Sequence, residues 1–253
     1  HELVLNERHV GQQRLIDGAE RFNTINCGRR WGKTEFLVDL ALDGRTEDDK
    51  AALVNGGRVG WWVGRESHFS QVWDEVSTML KPISKKQDAN LHSIRLLNGA
   101  QLDFWTLYKD PNVGRGRKYH RAIVDEAAFA KLLEKAWQTT ILPTLTDFKG
   151  DGWFASTPVP SYFRHLCRLG DPKSEFYRAG WKHFHEPTWN NPYIDPVEVE
   201  KLRLEMTDST FRQEYGAEFV ESEGGWFKRD WIRWYHREAP GDRMQRILLC
   251  DPA

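Results

Sequence analysis

The 253-residue chain is 40% hydrophobic and 29% charged, which suits one large α/β domain with at most a small appendage and excludes a disordered chain. Thirty-six basic residues face 37 acidic ones, so a net charge of −1 announces no polyanion partner and any nucleic-acid contact has to be local. No stretch approaches the roughly 18 consecutive apolar residues of a membrane span, and the N-terminus has no secretory signal pattern.

Residues 1–8 are polar, and a short helix is predicted over 9–19 with Val10, Leu15 and Ile16 apolar. Phe22 to Cys27 runs apolar toward a glycine, as a strand entering a loop does. A helix over 34–42 turns Phe36, Leu37, Leu40 and Leu42 to one side. Residues 47–57 open charged and end in glycines, and they read as a solvated loop. An apolar strand follows over 59–63, then a helix over 67–80 with Ser67 as its N-cap. The runs 92–97 and 101–107 flank Asn98-Gly99, a strong hairpin signal, and short strands are predicted at 121–124 and 153–155. Strands alternating with helices imply a mainly parallel sheet with crossover helices. After Pro187 the chain turns loop-rich, with helices near 196–206 and 210–218. Ile247-Leu248-Leu249-Cys250 reads as the first strand of something new, which places a domain boundary there.

Cys27, Cys167 and Cys250 are odd in number, far apart and without metal-ligand spacing. They point to a reducing compartment rather than a disulfide framework or structural zinc. Twelve tryptophans are many for this length, and packing accounts for most of them.

The central chemical signal is Cys27-Gly28-Arg29-Arg30-Trp31-Gly32-Lys33-Thr34. Its end matches the phosphate-binding pattern G-x-x-x-x-G-K-[ST], with Cys27 standing where the common pattern has glycine. Gly32 lets backbone approach an anion at the helix N-terminus. Lys33 would neutralise β/γ-phosphate charge, and the Thr34 hydroxyl would ligate Mg²⁺. Ala122-Ile123-Val124-Asp125-Glu126 is an apolar strand ending in two carboxylates. Asp125 in that position holds a metal directly or through water, and Glu126 orients and deprotonates an attacking water; a plain helix N-cap is the alternative. Arg115-Gly116-Arg117-Lys118-Tyr119-His120-Arg121 is the densest basic stretch, either a solvated loop before a strand or a source of guanidinium contacts to phosphate. The same argument covers Arg29 and Arg30. Gln12 lies just upstream of the loop's strand, and a glutamine amide can pair with the N6 and N7 edge of adenine.

Together these motifs resemble the ATPase domain of large terminase subunits, the DNA-packaging motors of tailed bacteriophages. The likeness rests on Gln12 before the loop, the arginine-bearing CGRRWGKT, Val124-Asp125-Glu126-Ala127-Ala128-Phe129, and Ser156-Thr157-Pro158. Asn191-Pro192-Tyr193-Ile194 and the run 211–219 look like the family's lid and linker. The resemblance implies a P-loop NTPase fold of the ASCE/RecA-like kind, a mainly parallel sheet flanked by helices, over 1–186. It also implies a small lid/linker subdomain over 187–246, and over 247–253 the first strand of an RNase H-like nuclease whose first metal-binding carboxylate is Asp251. Without that domain's other carboxylates, no nuclease activity is expected.

By the same resemblance ATP and Mg²⁺ are the cofactors. Gln12, Gly28, Arg29, Arg30, Trp31, Gly32, Lys33 and Thr34 bind nucleotide, and Thr34 and Asp125 hold the metal. Glu126 is the base, Arg29 the in-loop catalytic arginine with Arg30 close behind, and Ser156 and Thr157 couple hydrolysis to movement. Arg115 acts in trans, with Arg117 as the fallback. The implied partners are double-stranded DNA, the portal protein of the procapsid, the small terminase subunit and further copies of the chain in a ring. The implied setting is the host cytoplasm, docked transiently on the procapsid and absent from the mature virion. A helicase-like ATPase, or a nucleotide-gated module that grips DNA or portal without turnover, are the alternatives.

Overall fold

The structure, a computed structural model, describes residues 7–220. The elements run α1 Val10–Asp17, β1 Phe22–Cys27, α2 Lys33–Leu42, β2 Arg58–Val63, α3 Glu66–Leu80, β3 Ser84–Asp88, β4 Ser93–Leu96 and β5 Gln101–Thr106. Then come β6 Arg121–Asp125, α4 Leu133–Ala136, α5 Leu142–Thr144, β7 Asp151–Ser156, α6 Tyr162–Gly170, β8 Trp181–Glu186, α7 Pro196–Leu204 and α8 Asp208–Glu214. A π-helical turn, Trp137–Ile141, joins α4 to α5.

The eight strands form one sheet in the order β3-β4-β5-β2-β6-β7-β1-β8. Every pairing from β5 to β8 is parallel, and only β3–β4 and β4–β5 are antiparallel. The central strands are buried on both faces, which is why their sequences read as continuous apolar runs such as Ala122-Ile123-Val124. Alternate residues feed two cores. Trp61 and Ile123 join Phe36, Leu37 and Val76 from α2 and α3 on one face. Trp62, Val124 and Phe154 join Leu133, Trp137 and Phe163 on the other. Trp73, Trp153 and Trp181 are buried as well, the packing role expected of most tryptophans.

Because the strands are parallel and in register, the ends of β1, β7 and β6 lie side by side. Asn26 faces Ser156, and Ala155 faces Asp125. The three motifs found in sequence therefore meet at one edge of the sheet, outside the carboxyl ends of the strands, where open α/β sheets bind ligands.

Several expectations are corrected. The helix of 67–80 starts at Glu66 after Arg65, with no side-chain cap, so Ser67 does not cap it. The stretch 47–57 is not a solvated loop. Ala51, Ala52 and Leu53 are buried, and Asp49 accepts hydrogen bonds from the Arg45 and Ala51 backbones and from the Arg121 guanidinium. Residues 187–220, the described part of the lid/linker expected over 187–246, belong to the same compact unit as the sheet. Cys250, Trp226, Trp231, Trp234, Asp251 and the strand expected from 247 lie outside the described residues.

Candidate active site

The loop between β1 and α2 carries its conformation in its sequence. Gly32 sits at φ 98° just before α2, and Arg30 at φ 64°. Cys27, which departs from the common glycine, ends β1 with its side chain buried in the core, so the loop begins one residue later without a clash. Gly28 is a glycine for packing: a Cβ there would strike the Tyr215 carbonyl and Thr188. Its N–H donates to the Glu186 carbonyl at 2.8 Å, so it is spent within the protein. Trp31, expected to bind nucleotide, is instead wholly buried, edge-on to His9 and Phe36, and its backbone N–H donates to the Gly28 carbonyl. It anchors the loop from beneath. Among the described residues no acceptor meets the N–H groups of Gly32, Lys33 and Thr34, the donors that a helix N-terminus leaves over.

Side chains from distant segments hold the loop. His9 Nε2 lies 3.2 Å from the Trp31 carbonyl, and Gln12 Nε2 donates to the Gly32 carbonyl at 3.2 Å. The other amide atom of Gln12 accepts from the His9 N–H, completing a capping box on α1. Thr188 Oγ1 donates to the Arg29 carbonyl at 2.7 Å and Asn191 Nδ2 to that of Arg30 at 2.9 Å. The Arg29 N–H donates to the Glu214 carbonyl, and its guanidinium pairs with the Glu214 carboxylate. Arg29, the first-choice arginine, is thus engaged with α8. Arg30 is exposed and makes no side-chain ion pair among the described residues. Beside Gly32 a cleft of about 410 Å³ opens, lined by His9, Gln12, Glu35, Asn191 and Tyr193 among others.

The Lys33 ammonium reaches Asp125 Oδ1 at 2.8 Å and Glu126 Oε1 at 2.6 Å. Burial works against its charge, but the two carboxylates outweigh burial and raise its pKa. Asp125 is fully buried, which disfavours ionisation; Lys33 and then His68 outweigh this and bring its pKa from 3.8 to about 2. A depressed carboxylate pKa contributes stability at neutral pH that is lost as pH falls from 3.8 toward about 2. In acid unfolding followed by circular dichroism, the nucleotide-free protein should therefore lose stability across that window. The limb should be flatter for Asp125→Asn; equal slopes would mean the pair contributes nothing.

Glu126 follows β6 in the left-handed region at φ 52°, unusual for a residue with a side chain. Gly64 allows this, since a Cβ there would strike the Glu126 carbonyl. Glu126 Oε2 also lies 3.5 Å from Ser156 Oγ at the end of β7. Thr34 and Thr157 are half-buried, with no hydrogen bond through their hydroxyls among the described residues. The site thus brings together Lys33, Asp125, Glu126 and Ser156.

Arg115 is not among them. It is exposed in the loop between β5 and β6, without a side-chain partner among the described residues. Arg117 is also exposed, with its guanidinium 5.8 Å from the centre of the Trp105 ring. Sequence reasoning misses His68, whose Nε2 lies 3.1 Å from Asp125 Oδ2. No spacing signals it; only the pairing of β2 with β6 brings the start of α3 to Asp125.

The chain is 27% identical over 221 residues to the terminase large subunit of Escherichia phage T5, covering 83% of this chain and 46% of that protein. The ATPase domain of the Thermus phage P74-26 large terminase superposes with a TM-score of 0.66 at 21% identity, over 85% of this chain and 94% of that one. This is the large-terminase ATPase fold. The large terminase of another thermophilic bacteriophage, solved in complex with ADP, shares that fold with a TM-score of 0.63 at 14% identity, over 83% of this chain and 53% of that one. The large terminase of bacteriophage HK97 matches at 0.55 and 13% identity, over 84% and 51%. No protein-family model matches the chain. The chain spans less than half the length of its T5 relative.

Proposed function

We propose that this chain is an ATP-hydrolysing, Mg²⁺-dependent motor domain that drives double-stranded DNA into a procapsid. The observation that carries this reading is the convergence of Lys33, Asp125, Glu126 and Ser156 beside a loop with unspent N–H donors. Those donors and the Lys33 ammonium suit a phosphate chain. The Thr34 hydroxyl and the ionised Asp125 carboxylate suit Mg²⁺, which when bound supplies charge neutralisation on the phosphates. The cleft beside Gly32 is the space for the base, with the Gln12 amide at its edge.

Phosphates draw the Lys33 ammonium away from its two acids. Glu126 then loses its ion-pair partner and becomes free to take a proton from water. Ser156, hydrogen-bonded to Glu126, carries that change to β7 and on to Thr157, which supports the coupling role expected of the pair. Arg30 is the loop arginine free to reach the phosphates, since Arg29 is tied to Glu214. Arg115, exposed and unpartnered among the described residues, is the arginine offered to a neighbouring copy in a ring. The DNA, the portal, the small subunit and the setting in the infected host's cytoplasm belong to the same proposal.

The test is phosphate release from ATP with Mg²⁺ across protein concentration. Specific activity should rise with concentration in the wild type and stay low and flat in Arg115→Ala, while Arg30→Ala should lower turnover more than Arg29→Ala. Absence of turnover at every concentration, with and without DNA, would sink the reading.

A further inference from the structure

We propose that His68 is a positioning residue that fixes the Asp125 carboxylate for its metal, an inference that rests on the function proposed above. His68 lies in the first turn of α3, where its backbone N–H donates to the Arg65 carbonyl, and its side chain is mostly buried. Its Nε2 is 3.1 Å from Asp125 Oδ2. An ionised carboxylate only accepts, so Nε2 carries the hydrogen and donates it. The opposite oxygen, Oδ1, takes the Glu126 N–H at 2.9 Å and the Lys33 ammonium at 2.8 Å. The carboxylate is therefore gripped on both oxygens, and each grip has a different fate.

Phosphates compete for Lys33. Once it leaves, Asp125 is a fully buried anion with two protein donors among the described residues, the Glu126 N–H and His68. Of these only His68 holds Oδ2. It sets the rotation of the carboxylate about its last bond and keeps Oδ1 turned toward Lys33 and the loop. Hydrogen bonds to a ligating carboxylate from the shell behind it typically sustain metal affinity by about tenfold or more.

Two measurements test this. Nitrogen-15 NMR of histidine-labelled, nucleotide-free protein should show His68 protonated on Nε2, its signal identified by loss in His68→Gln. Paramagnetic resonance should then follow Mn²⁺ titrated into protein saturated with ADP. His68→Ala should bind Mn²⁺ about tenfold more weakly, with ADP affinity in the absence of metal unchanged. His68→Gln, whose Nε2 can donate from the same place, should recover most of the loss. An undiminished Mn²⁺ affinity in His68→Ala, a glutamine variant as weak as the alanine one, or an Nδ1-protonated ring would overturn the inference and leave the proposed function standing. A wild-type protein that binds ADP neither with nor without Mn²⁺ would overturn both.

Discussion

Replacing Glu126 with glutamine is expected to lower phosphate release by at least about a hundredfold, the lower end of what a general base contributes, and to leave nucleotide affinity within a few-fold. Glutamine keeps the size of the side chain and its ability to meet Ser156 and Lys33, but it has no carboxylate to take a proton. The left-handed backbone at φ 52° is accommodated by the close approach that Gly64 permits to the Glu126 carbonyl, a backbone contact that the substitution leaves in place, so the side chain should stay where it is. Residues held in such conformations tend to mark sites where chemistry requires the placement. Single-turnover phosphate release and binding of a fluorescent ADP analogue separate the two effects. Turnover that survives at more than a tenth of the wild-type rate would remove Glu126 as the base. A comparable loss of binding would instead make it a structural partner of Lys33.

The second large effect concerns folding. Arg121 is wholly buried at the start of β6, and its guanidinium is divided among three segments. Nε and one terminal nitrogen donate to Asp151 at 2.8 and 2.6 Å; that terminal nitrogen also reaches Asp49 at 2.9 Å, and the other donates to the Leu40 carbonyl in α2 at 2.7 Å. Removing one member of a buried ion pair costs about 3–5 kcal/mol, because the remaining charges stay buried without a partner. Arg121→Met should therefore lower the melting temperature by roughly 10 °C, at about 2–4 °C per kcal/mol for a domain of this size. Arg121→Lys should recover only part of it, since an ammonium cannot reproduce the planar fork. Calorimetry of the three proteins decides the matter, and a shift below about 3 °C for the methionine variant would show that the cluster contributes little. The sequence places Arg121 at the end of the basic stretch 115–121, yet Arg115 and Arg117 are exposed while Arg121 braces the core.

That contrast shows what can be read from sequence. The phosphate loop, Asp125-Glu126 and the Asn98-Gly99 hairpin are local signals, each complete within a few residues, and the strand before the loop is legible to the residue. β3 and β8 are not. Their sequences, SKKQD and WKHFHE, lack apolar runs because both lie at the edges of the sheet among the described residues: β3 has no fully buried residue, and β8 buries Trp181, Phe184 and Glu186 around half-buried Lys182 and His183 and an exposed His185. The helix Tyr162–Gly170 escapes the sequence reading as well, although its buried residues Phe163, Leu166, Cys167 and Leu169 follow a helical spacing. Within the site, residues whose role depends on a distant partner are illegible. Nothing near Arg29 announces Glu214, 185 positions away, and nothing near His68 announces Asp125. The inward turn of the Trp31 side chain is illegible too, because a position inside a binding motif does not say which way its side chain points.

The backbone carbonyls of Arg29 and Arg30 are held by Thr188 and Asn191, and the Arg29 N–H by the Glu214 carbonyl. A ligand that reshapes the loop must therefore either break these three bonds or drag residues 187–220 along. In free-energy terms the loop and that segment are linked, and linkage runs both ways. Whatever clamps the segment in its present position changes ligand affinity at the loop by the same factor by which the ligand changes the clamp's. The segment is then a thermodynamic input to the site as much as an output from it.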